Sequence, residues 1–362
     1  MRYEPAMTSR SFYRDALAAR ARIFATAPMI DWSDARYRYF ARQLTKNALL
    51  YTEMIVADAI LRGNRARLLA HHPAEHPVAL QLGGNDPRKL AEAARIGADF
   101  GYDEINLNVG CPSDRVQSGT FGACLMREPE TVAACVAAMK AAVAVPVTVK
   151  CRIGVDDQDP EVALFDLVSR VRGAGVDAVW VHARKAWLQG LSPKENRDIP
   201  PLDYGLVRRL KAENPDLFIG LNGGLHTLEQ AVAETLGLDG AMLGRAAYQD
   251  SGVLTGVDAL FAHPFRPDVP PVGTPSVPQD LPAAYWEAVR DAMTDYAHAV
   301  VAGGGRVANV TRHMIGLFQG FPGARRYRQI LSADATRPGA GPEVIAAAFA
   351  AVLGARAAAA AE

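Results

Sequence analysis

An α/β fold, a (β/α)8 TIM barrel followed by a small C-terminal all-helical domain, is what this sequence predicts, on three observations. Eight short apolar runs alternate with stretches of helical length, polar residues gather at the C-terminal ends of those runs, and after Phe261 the chain turns proline-rich and then purely helical in pattern. The runs are Ile23–Met29, Leu49–Glu53, Val78–Leu82, Glu104–Asn108, Val147–Cys151, Ala178–His182, Phe218–Asn222 and Gly240–Leu243. A doubly wound sheet is the competing architecture, and periodicity alone does not separate the two. The rim of polar residues favours the barrel, because every strand contributes to it: Pro28-Met29, Glu53, Gln81, Asn106 and Asn108, Lys150, His182 with Arg184, Asn222-Gly223-Gly224, and Gly244-Arg245.

Between the runs, helices are expected over Ser33–Leu44, Pro87–Phe100, Pro129–Ala142, Glu161–Arg172, Asp203–Glu213 and Thr227–Thr235. Asp86-Pro87 and Pro129 suit a first helical turn, and Thr227 is a cap with Glu229 behind it. Pro264, Pro267, Pro270-Pro271, Pro275, Pro278 and Pro282 mark a linker. Beyond it Ala283–Ala302, Val307–Leu317, Ala324–Ser332 and Glu343–Ala357 read as helices, with a low-complexity tail from Ala355 expected to fray. The chain thus divides into a flexible N-terminal extension over 1–21, a barrel over 22–262, a linker over 263–282 and a helical domain over 283–362.

Composition narrows the function classes. Acidic and basic residues balance at 39 each, so any affinity for a polyanion must come from a local patch. Cys111, Cys124, Cys135 and Cys151 form no Cys-x-x-Cys pair, which argues against zinc, iron–sulfur clusters and a disulfide scaffold and for a reducing compartment. No apolar run reaches membrane-spanning length, and residues 1–22 carry several arginines but no hydrophobic signal core, so a cytoplasmic location is expected.

The rim carries the chemistry. Asn222-Gly223-Gly224 and Gly244-Arg245 occupy the loops after strands 7 and 8, where a barrel closes backbone N–H groups on a phosphate; tight turns are the plainer reading of the glycines. Lys150 ends a run of β-branched residues and points into the mouth, where burial calls for negative charge or a strong acceptor; an internal salt bridge with Glu53 or Glu104 is the alternative. A flavin ring offers a pyrimidine edge that suits Gln81 and Lys150 together. Cys111, in Gly110-Cys111-Pro112, is packing or chemistry on its own residues alone.

These stretches in order resemble the flavin-dependent tRNA-dihydrouridine synthases. The resemblance is carried by Ala27-Pro28-Met29-Ile30-Asp31-Trp32, Leu50-Tyr51-Thr52-Glu53-Met54, Gln81-Leu82-Gly83-Gly84, Asn106-Leu107-Asn108-Val109-Gly110-Cys111-Pro112, Val149-Lys150-Cys151-Arg152, His182-Ala183-Arg184-Lys185 and Asn222-Gly223-Gly224. Gly190 to Arg197 and Thr311 to Gly320 resemble the dihydrouridine synthase A branch in particular, and the match runs from about Arg22 to Tyr327. It implies reduction of uridine to dihydrouridine in the tRNA D-loop, at uridine 20 and also 20a, with tightly bound FMN, NADPH as reductant, tRNA as partner and a monomeric protein. FMN would be held by Pro28, Met29, Gln81, Lys150, His182, Asn222, Gly223, Gly224, Gly244 and Arg245, and Cys111 would be the proton donor. A thiol with the usual pKa of ~8.5 is mostly protonated at neutral pH and can serve as that acid.

Asn108 and Arg197 are the candidates for the uracil edge. Arg184, Lys194, Arg312, Arg325 and Arg326 are candidates for the RNA backbone, although scattered arginines on helices are more often a solvated face. The loop after Cys111 is expected to move when RNA arrives. An FMN barrel acting on a free pyrimidine, of the dihydroorotate dehydrogenase kind, is the alternative activity; it would share the ring and phosphate contacts and have no use for the basic helices.

Overall fold

A computed structural model describes residues 11–113, 120–271, 273 and 277–359. The eight runs form parallel strands: β1 (Ile23–Thr26), β2 (Leu50–Val56), β3 (Val78–Gly83), β4 (Glu104–Val109), β5 (Val147–Arg152), β6 (Ala178–His182), β7 (Phe218–Asn222) and β8 (Gly240–Leu243), in the order β1-β8-β7-β6-β5-β4-β3-β2. The ends of that order meet through Ala25 and Leu49, where Thr26 N donates to Leu49 O at 3.0 Å and Leu49 N to Phe24 O at 2.9 Å. The sheet therefore curls round into a (β/α)8 barrel.

The pleat sorts side chains into two sets. Outward residues such as Val149, Val181, Leu221 and Leu243 pack under the surrounding helices in one large core. Inward residues of the lower barrel, among them Ile23, Ala25, Tyr51, Ala79, Trp180, Phe218 and Met242, make a second, separate cluster. Trp180 fills so much of this interior that a Cβ on Gly220 would lie 2.1 Å from its ring, so the neighbouring strand has no room for a side chain there.

The N-terminal segment does not follow the sequence reading. Residues expected in a flexible extension form helix α1 (Phe12–Ala19), and Phe12, Tyr13 and Ala16 are buried in the inner cluster. Tyr13 packs edge-on to Phe218 at 4.6 Å and donates to Glu104 Oε2 at 2.6 Å, so α1 closes the N-terminal end of the barrel. An open barrel floor would leave Trp180, Phe218 and the Glu104 carboxylate facing solvent, and the short apolar face of α1 covers them.

Helix α2 (Ala35–Leu44) begins two residues later than expected, because Asp34 and not Ser33 caps it, accepting from Arg36 N at 2.9 Å and Tyr37 N at 3.0 Å. The C-terminal helices Ala283–Ala302, Ala324–Ser332 and Glu343–Ala359 gather round Phe318, whose ring lies 4.8 Å from Trp286, 4.9 Å from Tyr327 and 5.3 Å from Phe349. The last helix continues past Ala355 to Ala359, and the rest of the tail lies outside the described residues. The helix expected over Val307–Leu317 shortens to Ala308–Thr311 and continues as turns. There Gly316 meets the barrel so closely that a Cβ would lie 2.4 Å from Gln249 O.

Asp34 also ties this region to the barrel, accepting from Arg312 Nη2 at 2.9 Å, with His313 Nε2 at 3.1 Å. Burial alone would raise its carboxyl, but His313, the Tyr37 N–H and Arg312 outweigh burial and hold it well below the carboxylate range. Replacement Asp34→Ala should cost about 1–3 kcal/mol in urea unfolding. A folded pKa depressed below its ordinary value of ~4 gives stability that is present above that pH and lost below it. The gap between the parent and variant midpoints should therefore stay level between about pH 5 and about pH 8 and narrow below about pH 4.

Candidate active site at the barrel mouth

The C-terminal ends of the strands surround a cavity of about 470 Å³. Pro28, Met29, Gln81, Asn108, Cys111, Lys150, His182, Arg197, Asn222, Gly223, Gly224, Gly244 and Arg245 all line it. Parallel pairing explains why residues so far apart in sequence meet: Gln81 sits opposite Asn106, Asn108 opposite Lys150, and His182 opposite both Arg152 and Asn222.

Lys150 is held by an amide and not by a carboxylate. Its Nζ donates to Asn222 Oδ1 at 2.9 Å, and Asn222 Nδ2 donates to Met242 O at 2.7 Å, so Asn222 is fixed from both ends. Neither Glu53 nor Glu104 meets the lysine: Glu53 Oε1 accepts from Asp31 N at 2.5 Å, and Glu104 lies at the floor bonded to Tyr13, Tyr51 and Thr148. Burial, then the nearby Arg152, lowers the Lys150 ammonium to about 8. Arg152 is itself buried and lowered to about 10 by burial, and its guanidinium is satisfied by carbonyls: Gly110 O at 3.2 Å, Lys185 O at 3.1 Å and Asn196 O at 2.8 Å. Burial, then Arg152, Lys150, Arg184 and Arg245, keeps His182 far below its ordinary value, so its imidazole is neutral. The mouth is thus rich in cations with little to neutralise them.

The two glycine loops give access. Gly223 and Gly224 have φ of 105° and 68°, and a Cβ would lie 2.5 Å from His182 on the first and 2.4 Å from Leu202 on the second. A side chain there would be strained and blocked, while the bare backbone lines the cavity. Arg245 donates to Asp198 Oδ1 at 2.7 Å.

At the end of β4 the turn bearing Cys111 is anchored by Asn108, whose Oδ1 accepts from Gly110 N at 3.1 Å and Cys111 N at 3.0 Å. Cys111 Sγ lies 3.5 Å from Ser113 Oγ. Residues 114–119, where the mobile loop was expected, lie outside the described residues.

The other sequence candidates sit away from the lining. Arg184 donates from Nη1 to the carbonyls of Asp198 and Pro200. Lys194 is exposed on the loop after β6, beside the lining residues Pro193 and Arg197. Arg312 holds Asp34, whereas Arg325 and Arg326 are exposed on the C-terminal helices, the latter 3.4 Å from Asp334. Arg152, Met54 and Trp32 line the cavity without having been singled out. Arg152 was within reach of the sequence, since it lies two residues beyond Lys150 on the same strand face; nothing local marked Trp32.

A protein-family model described as dihydrouridine synthase (Dus) matches residues 25–352. The chain is 53% identical over 328 residues to a tRNA-dihydrouridine(20/20a) synthase of Shewanella oneidensis, covering 91% of this chain and 93% of that protein. It is 51% identical over 331 residues to a protein of the same name from Xanthomonas axonopodis pv. citri, covering 91% and 94%. Against that of Escherichia coli strain K12 it is 50% identical over 323 residues, covering 89% of each.

The lowered pKa of Lys150 sets a testable sign. In protein stripped of anions, the fold disfavours the ammonium, so its penalty is complete below about pH 8 and fades as pH rises toward ~10.4. Lys150→Met should therefore raise the urea midpoint at neutral pH, with the gain vanishing by about pH 11.

Proposed function

The chain belongs to the dihydrouridine synthase family, and from that premise we propose how its barrel mouth forms dihydrouridine in tRNA. The protein is an enzyme that reduces uridine to 5,6-dihydrouridine, and positions 20 and 20a, named for its relatives, are its proposed targets. One observation carries the reading of the site: desolvated Lys150 and Arg152, bonded to amide and carbonyl oxygens and to no carboxylate among the described residues, face a glycine-lined cavity next to a thiol.

That donor set fits FMN. Arg245, the neutral His182 and the backbone of Gly223, Gly224 and Gly244 would take the phosphate; Pro28 and Met29 would pack on the ring; Gln81 and Lys150 would meet its pyrimidine edge, with Asn222 steering the lysine. Bound there and reduced, with NADPH as the proposed reductant, the flavin would supply hydride chemistry at uracil C6. Cys111 holds the proton for C5. Asn108, already engaged with the Cys111 turn, and Arg197 orient the base edge.

The uridine has to leave its stack to enter the cavity, at a cost of a few kcal/mol that contacts to the rest of the tRNA must offset. Arg184, Lys194, Arg312, Arg325 and Arg326 are the proposed backbone contacts, with Arg312 also bracing the interface through Asp34. No helix among the described residues is long and apolar enough to cross a membrane, and no described group of three His, Cys, Asp or Glu could hold a metal. We read the protein as a cytoplasmic monomer.

Cys111→Ala should retain flavin and its reduction by NADPH while dihydrouridine formation falls by ~10²–10⁴-fold. Undiminished product would remove the thiol from the acid role, and loss of flavin would make it structural. Arg325→Ala with Arg326→Ala should weaken tRNA binding at every sequence and lower the slope of log affinity against log salt by about 1 per arginine; an unchanged slope would take both off the RNA.

A further inference from the structure

Beneath the cavity a single file of hydrogen bonds joins the barrel floor to the Cys111 turn. Tyr13 and Tyr51 donate to the Glu104 carboxylate at 2.6 and 2.5 Å, and Thr148 donates to the same group. Thr148 Oγ1 accepts from Asn106 Nδ2 at 2.7 Å, Asn106 Oδ1 from Gln81 Nε2 at 2.8 Å, and Gln81 Oε1 from Asn108 Nδ2 at 2.7 Å. Asn108 Oδ1 then accepts the two backbone N–H groups of Gly110 and Cys111. Every side chain in the file is buried.

Its direction is set from both ends. A backbone N–H only donates, and at the other end the Glu104 carboxyl accepts from three hydroxyls, so each amide and hydroxyl between them has one orientation that serves both neighbours. Turning the fully buried Asn106 amide over would set donor against donor and acceptor against acceptor on both its sides. The floor is fixed in the same sense, because Trp180 Nε1, a donor only, gives to Tyr13 OH at 3.2 Å and leaves that hydroxyl's proton for Glu104.

We infer that Glu104 is a positioning residue of the active site: through Thr148 and Asn106 it dictates which way the Gln81 and Asn108 amides face in the cavity, and so how the Cys111 turn is held. Burial raises the Glu104 carboxyl to about 7, and the protons of Thr148, Tyr13 and Tyr51 are what oppose that rise. Helix α1 thereby contributes to the site from the opposite end of the barrel. The functional meaning of this arrangement rests on the roles proposed above for Gln81, Asn108 and Cys111; the hydrogen-bond file itself does not.

Thr148 is the link to cut, because removing the Glu104 carboxylate would also strand Tyr13 and Tyr51. Thr148→Val keeps the shape and loses the hydroxyl; Thr148→Ser keeps the hydroxyl and loses the methyl. In full-length flavin-loaded protein, the alkylation rate of Cys111 by iodoacetamide is followed by mass spectrometry, together with hydrogen exchange at the Gly110–Cys111 amides. The valine variant should change both rates by about fivefold or more, and lower kcat with little change in KM for tRNA, whereas serine should stay within about twofold of the parent in both rates. Valine rates equal to the parent's, or serine rates as disturbed as valine's, would overturn the inference, the second being the mark of packing. Alkylation and exchange need no turnover, so this inference and the assignment of Cys111 as the acid fail separately.

Discussion

Cationic side chains drawn out of water must be met by an anion or by strong acceptors, and the mouth of this barrel is arranged around that demand. Arg152 meets it with three backbone carbonyls, and in doing so clamps the turn that carries Cys111 to the loop that carries Arg197. Lys150 meets it only in part, through one amide oxygen. A carboxylate beside the lysine would have neutralised it within the protein. Its absence from the described contacts leaves a positive field turned toward the cavity, suited to a phosphate and to an electron-rich ring edge. The glycines at 223 and 224 serve the same end, since a side chain at either would meet His182 or Leu202 before a ligand could.

The barrel interior divides by height. Its lower half is sealed by α1 and apolar apart from the Glu104 carboxyl at the floor, from which a polar file rises to Asn108 in the upper half. Strand alternation alone made this division half legible. Period two assigns Glu104, Asn106, Asn108, Thr148, Lys150 and Arg152 to inward faces correctly, but a face is not a depth. Glu104 and Lys150 looked like possible partners because both point inward. The observed register places Lys150 opposite Asn108, four residues along β4 from Glu104, and at ~3.3 Å per residue that separation rules out contact.

Other parts were legible or hidden for equally local reasons. The strands at Ala178–His182, Phe218–Asn222 and Gly240–Leu243 coincide with their apolar runs, and Asp86-Pro87 and Thr227 open helices where their side chains can bind free N–H groups. Helix α1 was hidden because its apolar face is only Phe12, Tyr13 and Ala16 between arginines, too short a signal without the cavity it fills. The loss of helix after Thr311 was hidden for the converse reason. The pattern there is helical, but Gly316 has to pass against the Gln249 backbone and Arg312 with His313 has to reach Asp34, so tertiary contact overrides propensity.

Those contacts bear on how a bound RNA could be read. The C-terminal helices share the barrel's outer core, and their link to it passes through Asp34, two residues from Trp32, which lines the cavity and stacks on Tyr248 at 4.4 Å. Tyr248 OH in turn lies 3.1 Å from His313 Nδ1. Under the proposed function, a base drawn into the cavity would be placed by phosphate contacts some distance away, and the distance from those contacts to Cys111 would have to be fixed before the RNA arrives. A tethered domain free to swing would lose contact energy to its own ordering. The Asp34 junction and the shared core join the helical region to the rim, so under the proposed function the register of the RNA would be set by the same elements that shape the cavity.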